Sequence, residues 1–159
     1  DVGTISSLWE ANMEVLDPEN SGINLFDEDW KIFSRNSGMT GHKISKGAVV
    51  EDSMITDGCR VDGTVKHSVL FAGVKVEKGA IIEDAVVMGG TVVKAGAVVK
   101  HCIVAENVTI GANAVVGAMP EGDVTGVATV GPGVTVGDGA KIGPNAMVSS
   151  DVEGGAEVC

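Results

Sequence analysis

A three-sided parallel β-helix is the fold class this sequence predicts, and three observations predict it. Aliphatic residues recur at Ile44, Val50, Ile55, Val61, Val65, Leu70, Val76, Ile82, Val87, Val93, Val99, Val104, Ile110 and Val116, in steps of five or six with a single step of four. The steps close into a longer period: Val65, Ile82, Val99 and Val116 are 17 apart, as are Leu70, Val87 and Val104, and Val76, Val93 and Ile110. Three residues after the anchor of each six-residue step stands Gly47, Gly58, Gly73, Gly79, Gly90, Gly96, Asn107 or Asn113. Gly and Asn tolerate positive φ, so each face ends in a left-handed corner. Three short faces per repeat, each returning an aliphatic residue to the inside, describe coils that bury a core only by stacking. Ordinary strands or a buried helix would not place Gly or Asn at one offset eight times.

The elements follow in order. Thr4 to Leu16 reads as a helix, with Ser7 and Glu10 as a capping box and Ile5, Leu8, Trp9, Met13 and Leu16 on one face. Asp17 and Pro18 end it. Its apolar stripe needs a surface, either the end of the β-helix or another domain, and a bare stripe with Trp9 and Met13 exposed would drive association. Residues 19–43 form a connector with one extended piece around Trp30, Lys31, Ile32 and Phe33, so that 1–43 is a junction and 44–159 the β-helix. The aromatics between Phe26 and Phe71 are placed to plug the open first coil. In the five-residue steps the tighter corner falls on Ser53, Ser68, Ala85 and Cys102, and second inward residues follow at Ala48, Val74, Ala80, Ala97, Val108 and Ala114. Residues 117–129, with Pro120, Gly122 and Gly126, break the register and read as a loop thrown out from a corner. The period resumes at Val130, Val136, Ile142 and Val148, again with Gly133, Gly139 and Asn145 at offset three.

Composition narrows the function. The 159 residues include 23 glycines and are 44% hydrophobic but only 3% aromatic, which suits a narrow core of Val, Ile and Ala. A net charge of −11 argues against a nucleic-acid partner, which needs basic surface. No apolar run reaches the length of a membrane span and no signal peptide is visible, so a cytoplasmic location is expected. Cys59, Cys102 and Cys159 are odd in number and widely spaced, which fits free thiols in a reducing compartment, and no pair has zinc-ligand spacing.

The repeated six-residue unit resembles the hexapeptide-repeat proteins, and that resemblance makes the coil the left-handed parallel β-helix, an exception to the usual right-handed crossover. A more specific resemblance lies in Asp1-Val2-Gly3-Thr4-Ile5, Ser7-Leu8-Trp9-Glu10-Ala11-Asn12-Met13, Asn24-Leu25-Phe26-Asp27, Trp30-Lys31-Ile32 and Ser34-Arg35-Asn36, continuing through Asp52-Ser53-Met54-Ile55 and Gly58-Cys59. These runs resemble the glucose-1-phosphate adenylyltransferases. The resemblance implies an enzyme of bacterial glycogen synthesis that makes ADP-glucose and pyrophosphate from ATP and glucose 1-phosphate with magnesium. The family's catalytic motifs belong to an N-terminal nucleotidyltransferase domain and are absent from this sequence, so the chain resembles the C-terminal part and is expected to be inactive by itself. Asp1 resembles a magnesium-holding aspartate whose partner carboxylate lies in that other domain, leaving Asp1 an incomplete metal position. The resemblance further implies a homotetramer, and coupling to sugar-phosphate and nucleotide effectors at interdomain sites.

Two sets of residues compete for a functional role in the coils. With Val50, Val65, Ile82 and Val99 stacked, Glu51, Lys66, Glu83 and Lys100 form one column and Asp52, His67, Asp84 and His101 another, both alternating in sign at a spacing of about 4.8 Å. One reading is a register-fixing ladder on a solvated edge, each pair worth at most about 1 kcal/mol. The other makes Lys66, His67, Lys100 and His101 an effector-binding or interface set. Arg35, one of only two arginines, is the further effector candidate near the junction. A rival from another class is a hexapeptide acyltransferase with His67 or His101 as general base and the 117–129 loop reaching a neighbouring subunit. A third is a stand-alone assembly module. A γ-class carbonic anhydrase is disfavoured, because His42, His67 and His101 lack a closely spaced pair.

Overall fold

A computed structural model describes residues 2–159, and its architecture is the parallel β-solenoid the period predicts, with about seven turns. The first face is a six-stranded parallel sheet running from Lys43–Ile44 through Arg60–Val61, Lys75–Val76, Val92–Val93 and Thr109–Ile110 to Thr135–Val136. The second and third faces join in one 11-stranded sheet, because Ile81–Val87 and Val98–Val104 run unbroken through the corner between them. Register follows the 17-residue period: Val65 pairs with Ile82, Ile82 with Val99 and Val99 with Val116. From Val61 onward the anchors fill the interior with Val, Ile and Leu, joined by Ala80, Ala97, Ala114 and Cys59, whereas Ile44 in the open first coil is 46% exposed. At about 25 cal/mol per Å² of apolar area removed from water, that continuous column is the main stabilising term of the fold.

The corners behave as Gly and Asn dictate. All eight offset-three residues from Gly47 to Asn113 have positive φ, as do Gly133, Gly139 and Asn145. The tight corners of the five-residue steps differ from the expectation by one position. There the left-handed residues are Asp52, His67, Asp84 and His101, at φ of 41, 40, 57 and 43°. With one residue fewer, the chain must turn earlier, and Asp and His are among the non-glycine residues that enter this region most readily. The small residues that follow already belong to the next face and point inward: Ser68, Ala85 and Cys102 are fully buried.

The N-terminal helix, α1 (Ile5–Glu14), is capped by Thr4, whose hydroxyl accepts from the Ser7 amide while Ser7 reaches back to the Thr4 amide. The capping box therefore starts one turn before the expected Ser7–Glu10 pair. Asp17 caps a second short helix, α2 (Pro18–Ser21). The helix α1 lies on the flank of the coil and not on its end. Met13 packs with Val69, Val86, Ile103 and Val127, and Ile5, Leu8, Trp9, Val15 and Leu16 surround them. The outward residues of the third face are thus as apolar as its inward ones, and α1 supplies the second layer that such strands require. Met13 is buried and Trp9 half-buried, so neither is the bare association surface the sequence suggested. The aromatic plug is also absent: Phe26, Trp30 and Phe33 are 72%, 76% and 87% exposed along the connector. Among the described residues, no helix is long and apolar enough to cross a membrane.

Candidate functional site

The tight corner between the second and third faces carries the densest polar constellation. Because the left-handed corner residues stack in register, Asp52, His67, Asp84 and His101 form one column. Asp84 sits at its centre with His67 Nδ1 2.9 Å from one carboxylate oxygen and His101 Nδ1 2.6 Å from the other. Asp84 and His101 are each only 8% exposed. The reason for their burial is Trp9. Its ring meets His101 edge-on, centroids 4.7 Å apart at 61°, and its indole N–H donates to the Asp84 carbonyl at 2.9 Å. Half of the column expected to be a solvated ladder, Asp84 with His101, is therefore a buried clamp that fixes α1 to the coil, while Asp52 and His67 keep contact with solvent. A buried carboxylate needs such partners, since leaving it unpaired costs several kcal/mol.

The neighbouring column stays at the surface. Lys66 pairs with Glu51 at 3.1 Å and Lys100 with Glu83 at 3.0 Å. The four residues expected as an effector set, Lys66, His67, Lys100 and His101, are thus brought onto one corner, and each lies against a carboxylate of the same stack. Arg35 is not among them. It lines a separate apolar groove of about 690 Å³ with Asn12, Val15, Leu25 and Phe71. Asp1, the expected magnesium position, lies outside the described residues. Among the described residues no group of three His, Cys, Asp or Glu is placed to hold a metal ion.

The chemistry open to the column is limited. Both imidazoles spend Nδ1 on Asp84, which leaves Nε2 as the free nitrogen. His101 is shielded by Trp9, whereas His67 is half-exposed with its Nε2 4.0 Å from Asp52. The groove it lines, about 440 Å³, also carries Glu10, Glu14 and Asp17. That acidic wall repels phosphorylated ligands, including an acyl-coenzyme A. The cysteines take no part: burial pushes the Cys59 and Cys102 thiols up, the Asp84 charge adding to the effect at Cys102, and all three cysteines are free. Sequence reasoning missed the Trp9 partnership. Its only signal was an aromatic residue on the apolar stripe of a helix that had no assigned surface.

A family model for the GlmU-like C-terminal hexapeptide domain matches residues 37–137. This chain belongs to that family. The glucose-1-phosphate adenylyltransferases of Bacillus thuringiensis strain Al Hakam and Bacillus anthracis are 50% identical to this chain over 93 residues, and that of Bacillus mycoides is 48% identical. The match takes in 58% of this chain and 24% of the length of those relatives. The resemblance read from the sequence is thus borne out in relatives that carry that name. Among solved structures, the acetyltransferase domain of PglB from Neisseria gonorrhoeae FA1090 aligns over 76% of this chain and 55% of its own at 24% identity and a TM-score of 0.37.

Proposed function

We propose that this hexapeptide β-helix is the assembly and regulatory part of a glucose-1-phosphate adenylyltransferase. The observation that carries the reading is the 50% identity to curated enzymes of that name, over a segment that is about a quarter of their length. On this reading the conversion of ATP and glucose 1-phosphate to ADP-glucose and pyrophosphate, the magnesium it uses and its place in glycogen synthesis belong to the cytoplasmic enzyme as a whole. Asp1 contributes to magnesium binding only alongside a carboxylate from the rest of that enzyme. The coils supply rigid subunit contacts in a homotetramer, and Arg35 on the connector, away from the carboxylate-paired corner, is the residue that would meet sugar-phosphate or nucleotide effectors. The exposed Trp30, Ile32 and Phe33 support the assembly role, because a connector with so much bare apolar surface is suited to packing against further protein.

The test is a chimera in which this chain replaces the matching segment of the Bacillus anthracis enzyme. An active tetramer by light scattering, with activation by effector reduced on Arg35→Ala, is expected. A chimera that stays monomeric, or whose effector response ignores both the swap and Arg35, would remove the proposal.

A further inference from the structure

We propose that a notch between the first and second faces binds the phosphoryl group of a small phosphate monoester, a site separate from the corner column and independent of the adenylyltransferase reading. The notch comes from the single four-residue step in the period. Ile44 and Val61 are paired on the first face, and Val49 and Thr64 on the second. The coil below crosses that corner with residues 45–48, and the coil above, between Val76 and Ile81, with residues 77–80. The middle coil crosses it with Asp62 and Gly63 alone. Its neighbours' tips, Lys46-Gly47 and Lys78-Gly79, therefore have no counterpart between them. The result is a recess of about 670 Å³ lined by Ser45, Lys46, Gly47, Asp62, Gly63, Thr64, Lys78 and Gly79.

Two lysines in one column with an empty level between them stand two strand spacings apart, about 9.6 Å at the backbone. A tetrahedral oxyanion, held from both sides at about 2.8 Å per charge-assisted bond, bridges a gap of this size once the flexible lysine stems fold inward. Neither lysine makes an ion pair or hydrogen bond with any described residue, so both ammonium groups are open to a ligand.

The recess also holds a free backbone donor. At three later corners of this column the tip amide donates to the carbonyl one coil below, Asn113 to Ala95, Gly139 to Ala112 and Gly155 to Asp138, at 2.8 to 3.0 Å, whereas the tip amides of Gly79 and Gly96 make no such bond. The residue that would accept from Gly79 is missing, and Gly79 has no partner among the described residues. The same column already attracts oxyanions, since the Ala95 amide donates to the Glu77 carboxylate and the Ala112 amide to Asp138. Asp62 opposes a bare polyanion. Together with Ser45 and Thr64 it offers acceptors and donors to hydroxyls, which selects an ester whose organic part carries them.

The probe is glycerol 3-phosphate, titrated at low salt against the 15N-labelled chain. Saturable shifts centred on the Gly47 and Gly79 amides are expected. They are lost in the double variant Lys46→Gln/Lys78→Gln, and glycerol alone gives none. Inserting Ser-Gly after Asp62 restores a full corner and should abolish binding with both lysines in place; if that variant fails to fold, the double substitution at two exposed side chains decides. Absence of a saturable shift at Gly79, or equal affinity in the double variant, overturns the proposal.

Discussion

Two faces of the same coil carry different outward columns. On the first face the residues alternating with the core are Lys43, Arg60, Lys75, Val92, Thr109 and Thr135, and this side meets solvent. On the third they are Met54, Val69, Val86 and Ile103, and α1 covers them. The coil geometry is common to both, so the difference lies wholly in side chains. A solenoid needs only its inward positions to fold, and the outward column then decides what docks. The third face is also the one whose leading corner carries the Asp84 clamp, so polar geometry and apolar area fix the helix together.

The largest effect that would sharpen this contrast is in the shared core. Ile82→Ala should cost about 2–5 kcal/mol in denaturant melts by opening a cavity between coils that cannot collapse. On the outward columns, Ile103→Ala should cost about 2 kcal/mol and loosen α1, as read by Trp9 fluorescence, while Lys75→Ala on the open face should stay within about 0.5 kcal/mol. Equal effects at Ile103 and Lys75 would break the comparison. Asp84→Asn, which turns an acceptor into a donor facing an imidazole, should cost about 1–3 kcal/mol and shift the Trp9 emission toward that of exposed indole. Thiol labelling of the native protein should modify Cys159 rapidly and spare Cys59 and Cys102, whose thiols burial holds in the protonated form. The smallest effect belongs to the exposed Lys141–Glu157 pair. Lys141 holds the Glu157 carboxyl below the ordinary carboxylate range, so its contribution is present above that range and lost as pH falls through the lowered value. Glu157→Gln should remove that acid dependence and leave neutral-pH stability nearly unchanged.

The coil was legible because its physics is local and periodic. Gly or Asn at each wide corner and an aliphatic residue at each anchor are requirements every turn repeats, so one register accounts for Ile44 through Val116. The tight corner was misplaced by one residue, because small inward residues such as Ala85 and Cys102 look like turn residues until the left-handed φ of Asp84 and His101 is seen. The docking of α1 was not legible, although its pieces were. Val69, Val86 and Ile103 share the 17-residue spacing just outside the core, but an amphipathic helix does not state which apolar surface it covers. For the same reason the alternating charges of the column could be read as a solvated ladder: burial by Trp9 is a contact 75 residues distant in sequence. The notch was present as the single step of four, whose meaning appears only when the coils on either side are stacked against it.

The most direct measurement of the functional account is formation of ADP-glucose and pyrophosphate from ATP, glucose 1-phosphate and magnesium, run on this chain alone and on the chimera, with acetyl-coenzyme A turnover measured beside it. No product from the chain alone, turnover in the chimera, and no acetyl transfer in either are expected. Acetyl transfer by the isolated β-helix that is lost on His67→Gln, or ADP-glucose formation without the rest of the enzyme, would contradict the functional account.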